Sequence, residues 1–468
     1  MSRSNRKLNW GMAGVILSLA WPTMLEQLMQ TAVQYIDTAM VGALGTQATA
    51  AVGATSTVTW LIGSSTAALG IGFLAFIAKA YGAGNEDVAT RASAQAVLTV
   101  LVIGSLFTAV CLGLSEQIPV WMQVEESIRP LTSRYFFILY APMLPRTAST
   151  IFGMVLRSAG DTKSPMKIGL LVNIINVVLN ILLIYETRLV NVFGDEFTMY
   201  GAGLGVVGAA LASAAAFTIG GIVITVVLWR HPMISPRGKS LKPDMEFLRP
   251  CMKVALPNML QRFGTSLGYV AFASMVNSLG ETATAAHTIA NTVESAFYIP
   301  GYGMQTAAAT LAGNAYGARD KKRMQELASM FLPIEVALMV LSGGALFLLA
   351  PWLMGLFSRS PEVIRLGTTV LRMVAVSEPF YGVSIIVEGM MQGVGKTKSP
   401  FVYNIIGMWG IRIVGTFLFT QLLDFGLVSA WACMIAHNKL LFALFLITYL
   451  RGKWNPLEEN RLPKNEES

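Results

Sequence analysis

Between Trp21 and Gly45 a long apolar run carries Glu26, Gln27, Gln30, Gln34 and Asp37. At roughly 100° per residue a helix gathers these five side chains within about a quarter of its circumference. One face of a membrane-length helix is then polar and ends in a carboxylate, while its other faces suit lipid. A carboxylate at bilayer depth costs at least ~2.5–3.5 kcal/mol, so it turns to a bundle interior or a wet cavity. Two chemistries fit: a charge paired for packing, or an ion or proton site lining a cavity. The second is the reading adopted for Asp37. A second polar face, His287, Asn291 and Glu294, follows the spacing i, i+4, i+7. Around it the sequence scatters further intramembrane charges: Arg262, Arg372, Glu378, Glu388 and Arg412. Charges removed from water need partners, so pairs such as Glu294 or Glu388 with Arg262, and Glu378 with Arg412, are expected. The functional alternative is that Glu294 or Glu378 titrates, with His287 as a pH-sensitive neighbour. His231 and His437 are given no role.

The elements that position these residues must be membrane helices. Of 468 residues, 54% are hydrophobic and 13% charged, about half the charge of a soluble chain, and mean hydropathy is +0.57. Against a span of about 20 residues, twelve helices are predicted over 12–42, 48–79, 92–115, 128–157, 164–187, 202–229, 247–278, 284–314, 325–349, 362–392, 399–422 and 426–450. Pro22 should kink the first, which neighbouring helices tolerate in a membrane. The fold class is therefore all-α, a polytopic membrane protein. The apolar runs are too long for barrel strands.

Basic residues collect in alternate connections, at Lys79 and Arg91, at Arg157, Lys163 and Lys167, at Arg319 to Arg323, and at Lys396 and Lys398. The opposite set holds only Arg129, Arg134, Arg188, Arg359 and Arg365. With Arg3, Arg6 and Lys7 on the basic side, this predicts cytoplasmic termini in a multi-pass plasma-membrane protein. The net charge of +8 follows from that topology and calls for no nucleic acid. Cys111, Cys251 and Cys433 are isolated in sequence with no His or Cys at metal-ligand spacing, so no disulfide framework or zinc site is expected. No span carries a metal-ligand constellation or a Ser–His or Cys–His pairing, so an enzyme is not expected and no cofactor is implied. The run AALGIGFLA lacks the Lys-Ser/Thr ending of a phosphate loop and reads as close helix packing.

The chain repeats at an ungapped offset of 235: Pro22 with Pro257, Gly45 with Gly280, the AYGA of Ala80–Ala83 with that of Ala315–Ala318, and RSAGDTKSP (157–165) with QGVGKTKSP (392–400). Six spans per half make a parallel repeat, with rocking of two pseudo-symmetric six-helix lobes about a central cleft as the expected motion. The expected divisions are an N-terminal lobe at 1–229, a polar cytoplasmic linker at 230–246, a C-terminal lobe at 247–451 and a charged, frayed cytoplasmic tail at 452–468. The repeat keeps the scaffold and changes the chemistry. Gln261, Arg262, Thr265 and Tyr269 replace the first stripe, and Phe272 stands where Asp37 would be.

These motifs, the first helix ending IDTAMVG, the loops AKAYGAGN and GNAYGARD, the paired TKSP loops and AAHTIANTVESAFYIPGYG, resemble the multidrug and toxic compound extrusion (MATE) transporters over essentially the full chain. The resemblance implies an antiporter exporting amphipathic, cationic, drug-like compounds in exchange for Na⁺ or H⁺. It implies a cation or proton site of Asp37 and Gln30 completed by Asn176 and Asn180 of the fifth span, the one place where Na⁺ is expected. Some relatives have Asp at the position of Asn180. The acidic positions of the family's second lobe fall on Thr265 and about Tyr381 here, so that site does not carry over. Gln34, Tyr35, Trp60 and Tyr140, with Arg146, are candidates for the substrate cleft. Twenty-five methionines suit a pocket for dissimilar apolar ligands. A monomer in membrane lipid is expected. The alternative within the superfamily is an exporter or flippase of a lipid-linked or oligosaccharide substrate.

Overall fold

Long apolar runs without interior turn signals leave helix as the one backbone state that satisfies its own polar groups in lipid. The computed structural model describes residues 10–192 and 195–459. The basic residues Arg3, Arg6 and Lys7 and the end of the tail from 460 lie outside the described residues. In order come α1 (Trp10–Gly42), α2 (Thr46–Gly82), α3 (Glu86–Gly113), the short α4 (Gln117–Trp121), α5 (Arg129–Tyr140), α6 (Met143–Ser158) and α7 (Lys163–Leu183). A hairpin of β1 (Glu186–Val192) and β2 (Asp195–Ala202) follows, then α8 (Gly205–Arg230), α9 (Met245–Asn277), α10 (Glu281–Phe297) and α11 (Ile299–Gly317). The chain closes with α12 (Lys321–Phe357), α13 (Pro361–Gly393), α14 (Lys398–Leu422), α15 (Leu427–Leu450) and a last turn, α16 (Pro456–Glu459).

Nine of the described helices are long and apolar enough to span a membrane by themselves. The other three predicted spans are α5 with α6, broken at Ala141–Pro142; α9, which carries Pro250 and Pro257; and α10 with α11, broken at Tyr298 just before Pro300. Twelve spans result. α1 runs through Pro22 as one helix. Exposed apolar stripes mark the lipid face, as with Val102, Leu106 and Val110 of α3, 55%, 52% and 45% exposed at a spacing of four.

The helices pack as two compact units, one of Met1–Met24, Leu74–Asn85 and Arg249–Ser468, here the C-terminal unit, and one of Leu25–Phe73 and Glu86–Leu248, the N-terminal unit. α1 passes from one to the other just after Pro22, and α2 passes back. The core of the N-terminal unit gathers Val41, Phe136, Tyr140, Met143, Ile184 and Ala210. In the C-terminal unit Ile16 and Ala20 of α1 join Leu311, Phe331, Ile386 and Phe445.

The sequence repeat returns as backbone geometry. Gly45 and Gly280 have φ of 114° and 105°, Gly160 and Gly395 have 85° and 83°, and Gly84 at 68° is matched by Arg319 at 52°. Gly82 and Gly317, also repeat mates, sit where α2 and α11 cross inside the C-terminal unit. A methyl group on Gly82 would come within 2.0 Å of the Asn314 carbonyl oxygen, and one on Gly317 within 1.9 Å of that of Lys79. The crossing admits hydrogen alone on both sides, as small-residue contacts in membranes allow.

Two features depart from the sequence expectations, and the polar linker makes defined contacts. The fifth span ends at Leu183 rather than 187, and the gap behind it folds as the antiparallel hairpin, with Arg188 opposite Met199 and Leu189 opposite Thr198. The tail does not fray from Gly452. Trp454 and Leu457 are buried in the core, Trp454 stacks on Tyr449 at 5.9 Å, and Gln325 donates to Glu458 at 2.6 Å. The linker is anchored within the N-terminal unit along the start of α3. Arg91 pairs with Asp244 at 3.0 Å and lies over the Phe247 ring, Gln95 bonds the backbone of Lys242 and Asp244, and Lys239 pairs with Asp87 at 2.7 Å.

Candidate functional site

In the N-terminal unit the end of α1 meets the middle of α7. Asn173, Asn176 and Asn180 point from one face of α7 into the protein and are 9%, 6% and 1% exposed. Asn180 Nδ2 donates to Asp37 Oδ1 at 2.6 Å and lies 3.2 Å from Asn176 Oδ1, and Asn176 Nδ2 donates to Ser213 Oγ of α8 at 3.0 Å. The carboxylate thus heads a chain of amides running through three helices. Each amide is ordered by the next, which fixes its oxygen and nitrogen ends. Such a group presents carboxylate and amide oxygens, the donors a hard monovalent cation takes, and equally a carboxylate that a proton can occupy. The residues present fit either ion.

The other expected members are spread more widely. Gln30 and Gln34 are exposed on α1, seven and three residues before Asp37. Tyr35 is 42% and Trp60 51% exposed, whereas Tyr140 is fully buried and donates to Thr59 Oγ1 at 2.6 Å. Arg146 lies over the rings of Phe217 and Tyr140, at 4.6 and 5.6 Å. Glu26, the first carboxylate of the stripe, leaves the group to pair with Arg157 at 2.5 Å.

In the C-terminal unit the expected ion pairs do not form; among the described residues none of Glu294, Glu378, Glu388, Arg262 or Arg412 enters a salt bridge. Neutral partners replace them. Glu388 accepts from Gln261 at 2.7 Å, Gln392 at 3.2 Å and Asn404 at 3.4 Å. Arg262 donates to Asn258 of its own helix at 2.9 Å. Arg412, 3% exposed in a π-turn of α14, lies over Tyr269 and Phe272 at 4.7 and 4.2 Å. Phe272 at the position equivalent to Asp37 thus serves as a face for a guanidinium. Glu294 accepts from Tyr298, and Arg372 donates to the Phe347 carbonyl at 3.3 Å. His287 is buried edge-on between Phe272 and Trp431, and Asn291 is exposed. The three-residue face of α10 therefore does not converge on one point. Sequence reading passed over Glu335 of α12, which is 0% exposed. Its signal was a carboxylate inside FLPIEVALMVL.

A sequence model described as MatE matches residues 22–182 and 257–418 of this chain, one stretch in each half. The probable multidrug resistance protein NorM of Thermotoga maritima is 26% identical over 439 residues, covering 94% of this chain and 92% of its own. The probable multidrug resistance protein YoeA of Bacillus subtilis is 26% identical over 457 residues and covers 94% of both. Among solved structures, one described as MATE in complex with MaL6 matches with a TM-score of 0.87 at 22% identity, over 96% of this chain and 97% of that one. An outward-facing multidrug resistance MATE family transporter of the MOP superfamily matches with a TM-score of 0.86 at 22% identity, over 95% and 96%. At that identity the likeness is one of fold.

Proposed function

The chain belongs to the MatE family, whose members are multidrug efflux transporters, and from that premise we propose that it is a secondary antiporter exporting amphipathic, cationic, drug-like compounds in exchange for H⁺ or Na⁺. Its termini are cytoplasmic and it acts as a monomer, by alternating access. The observation that supports this reading is the Asp37–Asn180–Asn176 chain, a half-buried carboxylate held at 2.6 Å by an ordered amide. Of the two acids of the polar stripe, Glu26 pairs with Arg157, whereas Asp37 is held by the Asn180 amide at the head of the buried asparagine face of α7, the arrangement in which a carboxylate and neutral amides face an exchanging cation. The mechanism is competition. A cationic substrate and the coupling ion both neutralise Asp37, and occupation by one weakens the hold on the other. Only differential binding of this kind shifts an equilibrium between access states.

The test is displacement. A fluorescent cationic dye bound to purified protein is titrated with Na⁺ at fixed pH, and separately with acid at fixed Na⁺. The reading expects one of the two to release the dye from wild type and to have little effect on Asp37→Asn. Dye bound equally well by both proteins and released by neither ion overturns it, and directs the search to lipid-linked substrates.

A further inference from the structure

Two carboxylates in the C-terminal unit have no visible reason to be where they are. Glu335 of α12 and Glu378 of α13 are 0% and 1% exposed. None of their four oxygens meets a hydrogen-bond partner, and neither residue enters a salt bridge among the described residues. Bare glycine backbones border both of them. A methyl group on Gly301 of α11 or Gly382 of α13 would come within 3.0 or 3.1 Å of Glu335 Oε1, so Glu335 rests between two bare backbones. Across the same helix pair, one on Gly343 of α12 would come within 2.6 Å of the Ala375 carbonyl oxygen and 3.2 Å of Glu378 Cβ, so the helices approach closely beside the second acid. Each acid thus uses a glycine on the other's helix, and any larger residue there would press on it.

We infer that Glu335 and Glu378 form a second proton site, which holds at least one proton between them and exchanges it during transport. A buried carboxylate with neither donor nor cation costs too much to keep ionised, and a bound proton removes the charge. The surroundings select the proton over a metal ion. Glu335 is bordered by Met339 and Ile385 at the Gly301 seat. A hard cation requires several oxygen ligands, and the described residues hold no group of three or more His, Cys, Asp or Glu able to bind one.

The titratable neighbours are few. α10 presents Glu294, itself bonded to Tyr298, and Glu294 acts electrostatically on Glu378. α13 adds Tyr381, edge-on to Tyr298 at 5.4 Å. Tyr302 of α11 lies near Tyr381, Arg262 and Glu388. The positive charge of Arg412 acts on Glu294, and His437 of α15 faces Arg412. The pair therefore has an acid and a phenol beside it and no base of its own.

The exchange step rests on the antiport reading; the bound proton does not, and the experiment separates them. Infrared difference spectra of reconstituted protein are recorded for wild type, Glu335→Gln, Glu378→Gln and Asp37→Asn. Gln keeps shape and approximates the neutral acid, so folding is preserved. The expected result is a carbonyl stretch of a protonated carboxylic acid at neutral pH that weakens in each Gln variant and persists in Asp37→Asn. In wild type it should also fall on raising pH and respond to a cationic dye substrate. A spectrum in which both Gln variants match wild type overturns the site. A band that is lost in the variants but unmoved by pH and substrate overturns the exchange. If dye transport, measured on the same proteoliposomes, fails in every protein while the neutral-pH band is still lost in the Gln variants, the antiport reading and the exchange fall and the bound proton stands.

Discussion

Breaking the Glu26–Arg157 pair should be the most damaging single charge removal in the N-terminal unit. The oxygen and nitrogen lie 2.5 Å apart with side chains 13% and 9% exposed, so solvent screening is slight. At an effective dielectric near 20 the gross attraction at that distance is roughly 6–7 kcal/mol, and desolvation of several kcal/mol per ion offsets most of it. The pair is then worth little against an apolar replacement, while one ion left alone carries its full burial cost. Each of Glu26→Leu and Arg157→Met should lower stability by about 3–5 kcal/mol, and the double variant should recover most of that loss. The surroundings leave the orphan little relief. Arg157 Nε already lacks a partner, and the backbones of Gly153 and Gly169 close on Arg157 and Glu26, with added methyl groups 3.2 and 3.1 Å from them. Reversible denaturation in mixed micelles, followed by tryptophan fluorescence, measures all four proteins. Single variants within ~1 kcal/mol of wild type, or a double variant that costs the sum of the singles, would refute the reasoning.

Other consequences follow from the same geometry. Gly317→Ala puts a methyl group 1.9 Å from the Lys79 carbonyl and should cost about 1–3 kcal/mol or more, read as a lower denaturation midpoint. Arg319 holds the left-handed conformation that its repeat mate Gly84 takes freely. Arg319→Gly should therefore be neutral or stabilising, whereas Gly84→Ala should cost ~1 kcal/mol in the same assay. Burial holds the linker residue His231 below its ordinary value of 6.5, so it is neutral when folded and takes a proton more readily when unfolded. As pH falls through 6.5 toward the lower folded value, stability should be lost; denaturation midpoints of His231→Asn should show a shallower decline over that window.

The span count and the repeat were legible because both are properties of long windows. A run of apolar residues reports burial in lipid wherever its neighbours are, and an offset of 235 survives because Gly82 and Gly317 must both be bare where the helices cross. Asp37 was legible for a related reason: one acid at the end of a polar helical stripe violates the window around it. The pairing of charges was not. Glu26 and Arg157 are 131 residues apart, and nothing periodic links them. The expected partners of Arg412 were carboxylates, yet Tyr269 and Phe272 of α9 cover it, because aromatic faces satisfy a guanidinium without a second buried charge. Glu335 vanished into the average of its apolar window. The hairpin was missed because windows sized for a membrane helix pass over strands of seven and eight residues.

The measurement that tests the central claim most directly is cationic dye transport in proteoliposomes, under an imposed pH gradient or an imposed Na⁺ gradient, with wild type beside Asp37→Asn. The account predicts that wild type follows one gradient and that Asp37→Asn, though folded, follows neither. Gradient-driven transport retained in full by Asp37→Asn would contradict it.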